Sequence, residues 1–319
     1  MIGLKEQCFG VEVELTGISR KEAAQALAAY FGVPAQYAGG VYDTWAVTDP
    51  EGKTWKLMSD SSIHAEKKTG SGYISTLSPL YRVEMVTPKL TYPELPKFQE
   101  CVRCIRRAGG KVNSSCGLHV HVAAANHNRQ SLKNLIGIMY SKEDMLFKAL
   151  QVNETRASRW CQKVREPMLK EARKLSCDET RDLTRLESIW YEGINGSRDH
   201  YNWTRYYALN LHSVFYRGTV EWRCFNSTLH AGRAAAYVNL CLAISAQAIA
   251  QRSTVMRKTK SDNELFTFRT WLVRLGLNGP EFKNTRDHLL ANLEGDRAWR
   301  YDKDSYEVNK KKKSRGRER

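Results

Sequence analysis

Phe9-Gly10-Val11-Glu12-Val13-Glu14-Leu15 is the stretch on which the reading of this chain turns. Successive side chains of a β-strand leave opposite faces, so Glu12 and Glu14 share one face while Val11, Val13 and Leu15 share the other. The same two-residue period returns at Leu118-His119-Val120-His121-Val122 and at Val220-Glu221-Trp222-Arg223. Three strands can then bury their valines and Trp222 on one side. On the other they would gather two carboxylates, two imidazoles and a Glu–Arg pair on one concave face.

The segments around these strands alternate in type. Ser19 reads as the N-cap of a helix running to about Phe31, with Gly32 as its terminator. Residues 41–63 read as a hairpin, Tyr42, Trp45 and Val47 leading through Asp49-Pro50-Glu51-Gly52 to Trp55 and Leu57, closed by Asp60-Ser61-Ser62-Ile63. The polar, glycine-bearing stretch 64–72 reads as a mobile loop and a candidate lid, and 81–86 as a strand stopped by Pro88. A helix is expected from Pro93 to Ala108, ended by Gly109-Gly110, then strand character from Val112 to Ala123 and a helix from Ser131 to Leu150. Residues 155–202 are rich in charge and read as helices joined by loops. Two further strands, 206–211 and 218–225, are expected as a hairpin around Tyr216-Arg217-Gly218. Strand spacing is uneven and no repeat is present, so a regular βα barrel is not supported. The expected class is α+β: a curved, mainly antiparallel sheet with helices packed on one face. Residues 1–309 read as a single catalytic domain with a helical insertion at about 155–202, and 310–319 as a basic, disordered tail.

Composition narrows the partners. The formal charge is +16, and the last ten residues hold seven basic side chains against one acidic, so the body keeps +10. That excess favours anionic partners, and the tail is either a solvated end or a nucleic-acid contact. Eight cysteines without a secreted-domain framework, and a start without a signal core, suggest a cytoplasmic protein with reduced thiols. Cys101 and Cys104 lack a second pair at zinc-finger spacing and read as helix-face thiols. The apolar stretch Ala234–Ala250 is short of the roughly 20 residues a bilayer requires and is interrupted by Asn239, Ser245 and Gln247. It reads as a core helix, with no membrane partner.

Glu12 and Glu14 sit in an apolar strand, where carboxylates are costly unless paired or metal-bound; an edge strand with one solvated face is the other reading. Asp60 and Glu84 each stand beside apolar residues at a strand or its end. His119 and His121 follow Gly117, where backbone can approach closely, and suit metal or phosphate contact. Glu221 and Arg223 are either a simple ion pair or a metal ligand beside a guanidinium that grips phosphate or carboxylate by two parallel hydrogen bonds. Carboxylates with few nitrogens and no thiols favour Mg²⁺ or Mn²⁺.

The ordered set Phe-Gly-Val-Glu-Val-Glu-Leu (9–15), Ser-Asp-Ser-Ser-Ile (59–63), Val-Glu-Met-Val-Thr-Pro (83–88), Cys-Gly-Leu-His-Val-His-Val (116–122) and Gly-Thr-Val-Glu-Trp-Arg (218–223) resembles the amidoligases of the glutamine synthetase and glutamate–cysteine ligase superfamily, common in bacteria, fungi and phages. The resemblance spans roughly residues 8 to 250. It implies a glutamine synthetase-like catalytic domain and an ATP-dependent carboxylate–amine ligase that forms an amide or isopeptide bond through an acyl phosphate. By the family pattern, Glu14, Asp60 and Glu84 would serve one metal position and Glu12, His119 and Glu221 another, with Arg223 facing phosphate and His121 nearby. Arg205, Asn210 and Arg159 fall where the family places substrate- or phosphate-binding groups. The implied partners are ATP, an acid and an amine, the acid being an amino acid, a peptide or a modified base. Two other classes stay open: a metal-dependent hydrolase of amides or phosphoesters, and a non-catalytic nucleic-acid binder.

Overall fold

The computed structural model describes residues 2–176, 180, 182–301 and 306; the basic tail, 310–319, lies outside the described residues. In chain order the strands are β1 (Cys8–Leu15), β2 (Gln36–Gly39), β3 (Thr44–Thr48), β4 (Thr54–Met58), β5 (Glu66–Thr69), β6 (Gly72–Ser75), β7 (Val83–Val86), β8 (Leu90–Thr91), β9 (Gly117–Ala123), β10 (Leu209–Asn210) and β11 (Thr219–Asn226). The helices are α1 (Arg20–Phe31), α2 (Leu95–Arg107), α3 (Arg129–Leu150), α4 (Glu154–Arg159), α5 (Glu166–Arg173), α6 (Thr184–Trp190), α7 (His212–Arg217), α8 (Ala231–Ala250), α9 (Glu264–Arg274) and α10 (Lys283–Leu290).

One open antiparallel sheet runs in the order β10-β11-β9-β1-β7-β4-β3-β2, with β8 beside β1. The three motif-bearing strands β1, β9 and β11 are neighbours, and β7 flanks β1. Val11, Val13, Leu118, Val120, Val220, Trp222, Met85 and Leu57 all project from this sheet into the core and are buried. α1 covers the β3–β4 end, α8 covers β9 and β1, and α2 packs on both helices. The fold is therefore α+β, a large antiparallel sheet with helices packed against its apolar face. α8 passes the length and hydropathy test for a membrane span, yet 72% of its apolar window is buried inside the protein, as the core-helix reading expects.

Local signals explain several boundaries. Ser19 accepts the Glu22 N–H while Glu22 reaches back to the Ser19 N–H, a reciprocal cap, and Gly32 ends α1 in the left-handed region at φ 68°. Two expectations fail. The stretch 64–72 is not a free loop: β5 and β6 form a hairpin, tied down by Lys111 and Asn113 on Glu66 and by the Tyr73 hydroxyl on the Gly109 carbonyl. None of residues 64–72 lines the cleft described below, which removes the basis for treating it as a lid. The expected tight turn at 216–218 is instead the end of a helix. Only Leu209 and Asn210 pair with β11; Asn210 Oδ1 then accepts the Ser213 N–H at 3.4 Å and the chain coils into α7, which Gly218 stops at φ 74°.

Candidate active site

Strand register assembles the polar face. His119 stands opposite Glu12, Glu14 opposite Glu84, and Glu221 opposite His121, and directly opposed residues of antiparallel strands share a face. Asp60 arrives from the turn after β4. Its Oδ1 accepts the Ser62 N–H at 2.7 Å, and buried Ile63 pins that turn to the core. Arg223 shares the cleft side with Glu221 by plain alternation, and beyond Trp222, opposite Val120, β11 shifts register before Phe225, opposite Leu118. The extra residue lets Trp222 and Phe225 both enter the core although they are three apart.

The side chains interlock. Glu12 Oε2 lies 3.0 Å from His119 Nδ1, and Glu12 Oε1 lies 3.3 Å from His121 Nε2. Glu221 accepts from Arg223 Nη1 at 2.5 Å and from Asn210 Nδ2 at 2.7 Å, and Glu14 accepts the Gly117 N–H at 2.6 Å. His121 Nδ1 is 3.1 Å from Thr219 Oγ1, which fixes the ring, while Nε2 of both His119 and His121 is buried without a hydrogen-bond partner. Three sets hold potential ligand atoms within 4.8 Å of one another: Glu14, Asp60 and Glu84; Glu12, Glu84 and His119; Glu12, His121 and Glu221. The first is the trio expected from sequence. In the others Glu84 bridges two sets and His121 joins Glu12 and Glu221, while His119 Nδ1, the imidazole expected between those two carboxylates, lies 3.0 Å from Glu12 Oε2 and 3.7 Å from Glu221 Oε1.

Burial and mutual charge set the protonation of the group. Burial raises Glu14 to about 7, helped by the charge of Asp60, and burial raises Glu84 well above the carboxylate range, reinforced by Glu12, Asp60 and Glu14. Burial also pushes Glu12 upward, but His121 and His119 outweigh it and hold the carboxyl well below its usual value. Glu221 falls to about 2 because the Arg223 and His121 charges overcome its burial. Burial and Arg223 lower His119 to about 4, whereas His121 is raised, Glu12 and Glu221 prevailing over burial. Two carboxylates face to face across β1 and β7, five in one hollow, and two buried imidazoles beside them form a donor set that fits hard divalent cations.

A cleft of about 590 Å³ opens above the cluster, with Glu12, Asp60, Glu84, His119, Glu221 and Arg223 in its lining. Arg205 and Asn210 line it too; His121 is not in the lining but groups with Glu12 and Glu221, which are. Arg159 does not reach it; it is exposed at the end of α4, and Arg156, one turn earlier, points inward instead. Gly117 makes room for that guanidinium, with which a Cβ would collide. Three cationic residues escaped the sequence reading. Lys56 alternates with buried Trp55 and Leu57, a signal that places it on the polar face. Arg217 Nη1 lies 3.8 Å from Glu12 Oε1 but falls in a presumed turn, and Arg156 hides in the charge-rich segment without any periodic cue.

Among solved structures, the chain is similar to a bifunctional glutathione synthetase from Pasteurella multocida at 10% identity and a TM-score of 0.34, the alignment covering 90% of this chain and 47% of that one. The chain thus spans about half the length of that protein. No curated protein matches the sequence. The family model described as "Putative amidoligase enzyme" matches residues 5–245, a span that contains every residue of the cluster. With three quarters of its length matched, the chain belongs to the amidoligase family.

Proposed function

We propose that the protein is an ATP-dependent carboxylate–amine ligase working in this cleft. The observation that supports it most is the convergence of Glu12, Glu14, Asp60, Glu84 and Glu221 with two imidazoles and Arg223 on one face of the sheet, in a chain of the amidoligase family. Glu14, Asp60 and Glu84 on one side, and Glu12, Glu221 and the imidazoles on the other, would hold Mg²⁺ or Mn²⁺. Such ions, when bound, offset the charge of a triphosphate. Arg223 would face the transferred phosphoryl group: Glu221 holds one nitrogen and the Trp160 carbonyl accepts from Nε at 3.4 Å, which orients the remaining donors.

In the reaction a substrate carboxylate oxygen attacks the γ-phosphorus, the bond to the β–γ bridging oxygen breaks, and ADP departs. The amine nitrogen then attacks the acyl carbon, the carbon–oxygen bond to phosphate breaks, and phosphate leaves with that electron pair. The amine must lose a proton, which a carboxylate of the cluster would take. No protein nucleophile enters the sequence. The test is phosphate release from ATP and Mg²⁺ with pools of acids and amines, comparing wild type with Glu12→Gln and Arg223→Ala. Loss on the order of 100-fold or more is expected in both. Equal rates in the variants, or no release with any pool, would remove the ligase from this cleft.

A further inference from the structure

Outside the lining of the cleft, β5 and β6 form a sheet of two strands only, and β6 is its free edge. Gly17 occupies the far side of β5: its N–H donates to the Glu66 carbonyl at 2.9 Å and its carbonyl accepts the Lys68 N–H at 3.0 Å. The Thr76 N–H donates to the Ala65 carbonyl at 3.0 Å. By alternation Gly72 and Ile74 also face β5 with their backbone groups, and Tyr73 and Ser75 turn theirs outward. No described residue is bonded to those outward groups, and all of β6 is exposed.

Exposed edge strands are ordinarily guarded by charge, proline or a bulge. β2, at the edge of the main sheet, has such a bulge, its register shifting between Tyr37 and Gly39. β6 has no such guard. Its pairing runs unbroken from Glu66–Ser75 to Thr69–Gly72, and from Thr69 to Tyr81 there is no charged side chain, in a chain of which 26% is charged. Ile74 is 55% exposed, Leu77 94% and Leu80 52%. The occupant this edge fits is a second copy of the chain. At a net charge of +16 two copies repel unless they meet on a neutral patch, and a polyanion would seek charge instead. The hydrogen-bonding pattern is also its own complement: about a two-fold axis at Ile74, Tyr73 of one copy exchanges both bonds with Ser75 of the other, and the reverse, which leaves none of the outward groups unpaired. Ile74 then meets Ile74 on the face where Lys67 also points. The two Lys67 side chains stand three strand spacings apart, about 14 Å, beyond the roughly 8 Å over which charge acts at physiological salt. We propose that the protein self-associates through β6 as an isologous dimer, the two β5–β6 hairpins joining into one antiparallel sheet. The contact is small, so the dimer is a weak one. Nothing in it depends on the ligase reading.

The experiment is sedimentation velocity of the full chain from about 1 to about 200 µM in roughly 0.15 M salt. Wild type should pass from monomer to dimer across that range. Ile74→Lys sets two like charges face to face, and Ser75→Pro removes an outward N–H without touching the β5 ladder; each should raise the dimer dissociation constant by about 10-fold or more. Both sites are exposed, and circular dichroism checks that the variants fold; where Ser75→Pro does not, Ile74→Lys decides. Tyr37→Lys on the β2 edge should leave dimerisation unchanged. Register is tested by Ile74→Cys, which should give a disulfide-linked dimer under copper–phenanthroline and dioxygen, since opposed residues of a non-hydrogen-bonded pair have Cα atoms about 4.5 Å apart. Lys67→Cys and wild type should not cross-link. A monomer at every concentration, a dimer indifferent to both β6 variants, a dimer lost in Tyr37→Lys and not in Ile74→Lys, or cross-linking by Lys67→Cys as fast as by Ile74→Cys overturns the proposal.

Discussion

Glu14 and Glu84 oppose each other across β1 and β7, a placement that like charges destabilise unless a cation lies between them. The protein without divalent ions should therefore tolerate Glu84→Gln, with an unchanged or higher melting temperature in EDTA. Mn²⁺ near 100 times its Kd should stabilise wild type by about 2.7 kcal/mol and the variant far less. Thermal melts with and without Mn²⁺ check this, and an equal Mn²⁺ gain in both proteins would contradict a cation role for Glu84. Gly117 gives a second test at this scale. Gly117→Ala drives a methyl into the Arg156 guanidinium and should cost about 1–3 kcal/mol in urea unfolding. Adding Arg156→Ala should return part of that loss, so that the two changes are not additive.

Elements carry their own tests. α1 rests on the Ser19–Glu22 reciprocal cap, and Ser19→Ala should lower stability by about 1 kcal/mol without touching the cleft. α3 is joined to the segment before α5 by Glu143, whose two carboxylate oxygens accept the Val164 N–H at 3.1 and 2.9 Å. Burial raises Glu143 from 4.5 to about 7. Between those values the folded state holds the proton more tightly than the unfolded chain, so this contribution is complete below pH 4.5 and is lost as pH rises through 7. Glu143→Gln keeps an acceptor for Val164 and removes the titration. Its stability relative to wild type should rise from pH 5 to pH 8, by up to roughly 3 kcal/mol. A flat difference across that range would show that Glu143 does not titrate there.

The same scale shows what could be read in advance. β1, β9 and β11 were legible because valines alternate with polar residues, and α1 because Ser19 and Gly32 mark its ends. The β5–β6 hairpin was not, since exposed Glu66-Lys67-Lys68-Thr69 has no buried face to imprint a two-residue period. α7 was missed because a six-residue helix between paired strands looks like a turn. Alternation places Arg223 beside Glu221, but nothing in the sequence marks the β11 bulge that lets Phe225 join Trp222 in the core.

At the scale of the whole molecule, sequence alternation says which residues share a face of one strand but not which strands are neighbours. Glu84 meets Glu12 and Glu14 only because β7 lies beside β1, and Asp60 joins them only because β4 lies beside β7. Family resemblance bridged that gap for the carboxylates. It could not find Arg156, which α4 delivers from a segment without a motif. In the proposed ligase these distant side chains meet around divalent cations to hold a triphosphate. Calorimetric titration of the full chain with a non-hydrolysable ATP analogue tests it most directly, in Mg²⁺ and in EDTA, for wild type and Glu12→Gln. Binding should require Mg²⁺ and be lost in the variant; binding of equal strength in EDTA, or unaltered by Glu12→Gln, would contradict a metal-held triphosphate.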